Sequence, residues 1–101
     1  MPKFPISITE AAEQDLTDIV EYIAKDSPLA ALKLVDEIEE SISQLEDFPL
    51  IGASPKNRRL ARQGYRVLIV DSYLVFYVLL EDETVEIRHV VSGKREYKFL
   101  L

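Results

Sequence analysis

The sequence predicts an α+β domain, and three observations carry that reading. The last third of the chain holds three β-type runs joined by very short turns. Two helical stretches precede them, separated only around Ser27-Pro28. A short alternating run, Phe4 to Ile8, stands ahead of both helices.

Phe4 to Ile8 can form a strand with Ile6 and Ile8 on one face. Thr9 suits an N-cap, and Glu10 falls in the first turn, where the helix dipole favours a carboxylate. Leu16, Ile19, Val20 and Ile23 then recur at helical spacing, so a first helix is expected to end near Asp26. Ser27 as N-cap and Pro28 at the first helical position restart the chain. In the second helix Leu32, Val35, Ile38, Ile42 and Leu45 form one apolar stripe, expected to bury against the sheet or the first helix. Phe48-Pro49 stops it. So short a break between helices predicts an antiparallel hairpin over about residues 10–46.

Pro49 to Gly64 is the least regular segment. Gly52, Pro55 and Gly64 punctuate it, and Lys56, Arg58, Arg59 and Arg62 charge it. A β-meander over about residues 65–90 follows. Tyr65 to Val70 is rich in β-branched and aromatic residues, and Asp71-Ser72 is a two-residue turn. Tyr73 to Leu80 is the next strand, Glu81-Asp82-Glu83 turns again, and Thr84 to Val90 is the third. Turns this short force antiparallel neighbours. Residues 91–101 form a basic, aromatic tail built around Gly93, Lys94, Arg95 and Tyr97. No linker divides the chain, so residues 1–101 are expected to make a single domain.

The formal charge of −6 hides a division. Residues 1–55 carry 12 acidic and 3 basic residues, whereas residues 56–101 carry 6 acidic and 9 basic ones. Between Lys56 and Val70 there are five basic residues and no acidic one. The mean charge argues against broad nucleic-acid affinity, while the local charge permits a basic patch. The acidic half also fits ordinary solvated helix faces. Without cysteine, and with His89 the only histidine, neither a disulfide framework nor a histidine-based metal site is expected. No apolar run approaches the ~20 residues that span a bilayer. The N-terminus shows no signal-peptide pattern, so the expectation is a cytoplasmic protein away from the membrane.

Several chemistries can be weighed from residue types. Nothing resembles a nucleophile elbow, a P-loop or a dinucleotide fingerprint. Paired carboxylates such as Glu39-Glu40 fit a solvated surface. A metal-independent ribonuclease needs cations for the pentavalent phosphate and a group to take the 2′-OH proton. Arg59, Arg62, Arg66, Arg95, His89 and Tyr97 supply those residue types. Strict alternation puts His89 in line with Val85 and Ile87, where a histidine is more often hydrogen-bonded and half-buried than catalytic. Tyr65, Tyr73 and Tyr77 read as sheet packing, while Tyr97 lies beyond the strands beside Lys94 and Arg95.

The fragments AAEQDLTDIVEYIA, LEDFPLIG, RRL, YRVL, YLVFY, VEIRHV and GKREY, in this order, resemble the RelE/ParE superfamily of bacterial type II toxin–antitoxin toxins. The likeness spans nearly the whole chain. It implies a four-stranded antiparallel sheet with the helical hairpin packed on it, and a cognate antitoxin whose extended segment wraps the toxin. It also implies a toxin–antitoxin hetero-oligomer or a homodimer, while the residue types lead to the expectation of no cofactor. In the RelE-like branch, which cleaves mRNA on the ribosome, cations lie on the first two meander strands, with a Gly-Lys-Arg-type turn after the third. Gly93, Lys94 and Arg95 match that turn, and Arg66 sits on the first meander strand. Leu74 stands where that branch has an arginine on the second strand, and its late tyrosine falls near Leu101 rather than Tyr97. The ParE-like branch, which resembles poisons of DNA gyrase that act by binding, has the YLVFY-type strand without that arginine.

Three readings follow from the resemblance. The leading one is a growth-inhibiting toxin nearer the ParE side, in which Arg58, Arg59, Arg62, Arg66, Lys94, Arg95 and Tyr97 bind target or antitoxin. The runner-up is an mRNA interferase acting on the ribosome through Arg66, Arg95, Tyr97 and His89. The third is a degenerate member that binds antitoxin without toxicity.

Overall fold

The structure, a computed structural model, describes residues 3–93. Strand β1 (Ile6–Ile8) leads into helix α1 (Glu10–Ala24), followed by α2 (Pro28–Ser43) and a 3-10 turn, Gln44–Glu46. A short helix α3 (Arg58–Arg62) precedes strands β2 (Arg66–Val70), β3 (Tyr73–Leu79) and β4 (Val85–Ser92).

Both expected caps form. The Thr9 hydroxyl accepts the Ala12 amide and the Ser27 hydroxyl accepts the Ala30 amide, with Pro28 at the start of α2. These bonds satisfy N–H groups that the first turn of a helix leaves without partners. The α3 helix goes beyond the irregular segment read from the sequence. Its cap is Asn57, whose side chain accepts the amides of Arg59 and Leu60. Leu60, fully buried, anchors it, and Gly64 at φ 86° ends it in a conformation that disfavours other residues.

The sheet order is β1-β4-β3-β2. The meander pairs antiparallel, but β1 lies parallel to β4, with Ile6 opposite Val85, so the sheet is mixed rather than antiparallel throughout. A parallel pair needs a long crossover, and here the hairpin and most of the meander supply it.

The hairpin covers one face of the sheet. Ala12, Leu34, Ile38, Ile42 and Leu45 pack against Val75, Tyr77, Val85, Ile87 and Val90. The expected stripe therefore needs one correction: Leu32 is 63% exposed, and Leu34 takes the core position. The start of α2 carries apolar residues at 29–32 and again at 34–35, so two stripes fit locally. Tertiary packing selects the one through Ala31, Leu34 and Ile38. The opposite face carries a smaller cluster of Leu60, Tyr65, Phe76, Val78 and Val91, with Val67 and Leu74 packed against it.

A bulge in β4 breaks the strict alternation. Tyr77 pairs with Ile87 and Phe76 with His89, so Arg88 has no partner in the ladder. The next core residue after Ile87 is thus Val90, not His89.

Candidate functional site

In β2 and β3, alternate side chains point to opposite faces, and paired residues share a face. Arg66 is opposite Tyr77 on the hairpin side, whereas Val67, Ile69, Leu74 and Phe76 lie on the other. These four line a groove of about 300 Å³, closed along one side by Ala53, Ser54, Pro55 and Lys56 and at one end by Gly93. Its floor is apolar and Lys56 is the cation on its wall.

The groove runs along an edge strand. Val67 exchanges both backbone hydrogen bonds with Ala53, at 2.9 Å each, which covers part of the β2 edge. Ile69, two residues on, has the same outward backbone orientation and no such partner among the described residues. Its side chain is 73% exposed. Such an edge is a template for an added strand.

The residues singled out from the sequence separate in space. Arg58, Arg59 and Arg62 are exposed on α3, which packs on the groove face through Leu60. Arg66 is turned to the hairpin side. Its Nη1 donates to the carbonyls of Gly52 at 2.8 Å and Leu50 at 3.2 Å, so it braces a loop. His89 meets α1: its Nδ1 lies 3.1 Å from Asp15 Oδ2. The same carboxylate oxygen accepts the Val90 amide at 3.0 Å, so Asp15 completes the β4 edge beyond the reach of β1. Lys94, Arg95 and Tyr97 lie outside the described residues.

Arg88 on the groove face has its own partners. Its Nε donates to Glu86 at 2.8 Å, and its guanidinium sits 5.4 Å from the centre of the Tyr65 ring. That is a cation–π and ion-pair arrangement, directed to packing. Tyr77 is fully buried under the hairpin, and burial pushes its phenol up from its ordinary value, while the Gly52 amide bond and the Arg66 charge oppose the shift. Among the described residues no group of three or more potential ligands is placed to hold a metal ion. No helix there is long and apolar enough to cross a membrane.

The reading from residue types overlooked the groove floor. The available signal was the two-residue period: from Leu74, the same face must hold Phe76 on β3 and Val67 and Ile69 on β2. What this face can do follows from its chemistry. An apolar floor, an open strand edge, Lys56 on the wall and the exposed arginines of α3 on the same face suit an extended polypeptide.

Comparison with known proteins agrees with this architecture. A solved structure of the chromosomal ParDE system from P. aeruginosa superposes with a TM-score of 0.72 at 20% identity, covering 91% of this chain and 98% of that one. The RelBE2 toxin–antitoxin complex from Mycobacterium tuberculosis superposes with a TM-score of 0.63 at 24% identity, covering 91% and 93%. At these identities the likeness establishes the fold. No curated protein sequence matches the chain. The family described as ParE toxin of type II toxin-antitoxin system, parDE, matches residues 6–97. With the match running from β1 past the end of β4, this chain belongs to the ParE toxin family.

Proposed function

We propose that this protein is a growth-inhibiting toxin that acts by binding a protein target such as DNA gyrase, and that a cognate antitoxin neutralises it. One observation carries the reading. Cleavage of RNA requires preplaced cations where charge develops on the phosphate, and losing one such donor costs about a hundredfold or more in rate. Here Leu74 is part of an apolar floor with Val67, Ile69 and Phe76, and Arg66 is turned to the other side of the sheet, bonded to Leu50 and Gly52. His89 is held by Asp15 of α1, whereas Arg66 is committed to the carbonyls of the 50–52 loop. A face of this kind favours contact with protein over phosphate chemistry.

The same face supports an antitoxin partner. The ParDE and RelBE2 neighbours are themselves toxin–antitoxin systems. An extended antitoxin segment adding beside Ile69 fills the groove, and its acidic residues meet Lys56, Arg58, Arg59 and Arg62. The product is a toxin–antitoxin hetero-oligomer. Inducing the protein in cells and comparing gyrase-linked DNA breaks with ribosome-dependent mRNA cleavage tests the target. Breaks without cleavage support the proposal; cleavage without breaks overturns it in favour of an mRNA interferase.

A further inference from the structure

On the hairpin side of the sheet, far in charge character from the basic groove, the chain displays a second surface. Phe48, Leu50 and Ile51 are 64%, 55% and 53% exposed, in consecutive positions around Pro49. Large apolar side chains so exposed in so short a segment are normally found in contacts. This loop is also held in one shape. The Tyr77 hydroxyl accepts the Gly52 amide at 2.9 Å and donates to the Pro49 carbonyl at 2.8 Å. Arg66 holds the carbonyls of Leu50 and Gly52, and the Ile51 amide donates to the Phe48 carbonyl at 3.1 Å. A buried tyrosine and an arginine thus fix a loop whose own side chains face solvent. A rigid apolar knob loses little entropy on binding, which is what a docking element requires.

The surroundings specify what docks. The chain that leads into the knob, from Asp36 to Asp47, carries six acidic residues and no basic one. Asp36, Glu39, Glu40 and Asp47 are exposed. The C-terminal end of α2, where the helix dipole is negative, points the same way. The partner that fits is apolar at its centre and cationic at its rim.

We infer that the Phe48–Ile51 loop is a preformed docking knob for a cationic, amphipathic segment of a protein partner, on a surface distinct from the basic groove. The inference does not depend on gyrase being the target, nor on where the antitoxin binds. Its test uses the full-length, isotopically labelled protein and two helical peptide probes of equal leucine content, one with lysine as its polar residue and one with glutamate. The lysine peptide should shift the amides of residues 47–53 saturably, and the glutamate peptide should not. Ile51→Ser, which leaves the core untouched, should weaken that binding about tenfold. Tyr77→Phe, checked for fold by circular dichroism, should also weaken it by loosening the loop. Equal shifts with the glutamate peptide, shifts only outside residues 47–53, or binding unchanged in Ile51→Ser would each overturn the inference.

Discussion

The Tyr77 hydroxyl and the backbone of Gly52 lie in direct contact, and a Cβ on Gly52 would stand 2.6 Å from that hydroxyl oxygen. Glycine is therefore required there by close approach. Tyr77 is fully buried and reaches the loop from the sheet, so it cannot yield without disturbing the core. Gly52→Ala should lower stability by about 1–3 kcal/mol, the usual range for overpacking. Tyr77→Phe should lower it by about 1–3 kcal/mol, because the Gly52 amide and the Pro49 carbonyl lose a buried partner. Denaturant unfolding of both variants and the double variant measures this. The double variant should fall short of the sum, since each change breaks the same contact.

The same tyrosine predicts a pH dependence. Burial raises its phenol above the ordinary value of 10.0, outweighing the opposing Gly52 amide bond and Arg66 charge. A folded state that holds its proton more tightly than the unfolded chain is favoured in full below the unfolded value. That contribution is lost as pH rises through the folded value. Stability should therefore fall on the alkaline side of pH 10, and Tyr77→Phe should flatten that decline. Midpoints of urea unfolding across the alkaline range provide the check.

Two substitutions in α2 separate the buried stripe from the exposed one. Ile38 is in the core, so Ile38→Asp should cost several kcal/mol and lower the melting temperature sharply. Leu32 is exposed, so Leu32→Asp should change stability by within about 0.5 kcal/mol. Equal effects would contradict the observed rotation of the helix.

That pair also shows where sequence reading reaches its limit. The caps at Thr9 and Ser27 and the Asp71-Ser72 turn were legible because each has a local cause. The choice of Leu34 over Leu32 was not, because both fit a helical period and only packing on the sheet decides. The Arg88 bulge left no signal, since Val90-Val91 are apolar on either face. Helix α3 is one turn long, too short for a period, and its clue was Asn57 before Leu60. The basic residues of the candidate site were evident by type. That Arg66 braces a loop and His89 meets Asp15 depends on contacts between residues far apart in the chain.

The basic surface on and around α3 predicts how an antitoxin should bind. Its affinity should drop as salt rises, because exposed charges are screened over roughly 10 Å at 0.1 M. Ile69→Asp should weaken binding further by placing a carboxylate at the open edge, with little change in stability. Titration calorimetry at several salt concentrations tests both. Affinity independent of salt, or a footprint confined to residues 10–45, would count against this surface.

A toxin that acts by contact rather than by cutting RNA leaves ribosome-bound mRNA intact. The most direct measurement is an mRNA cleavage assay with purified protein, free of antitoxin, on programmed ribosomes. No cleavage above background is expected, for the wild type and for Arg66→Ala and Arg95→Ala alike, while the wild type remains toxic in cells. Codon-positioned cleavage by the wild type, lost on the order of a hundredfold in Arg95→Ala, would contradict that expectation.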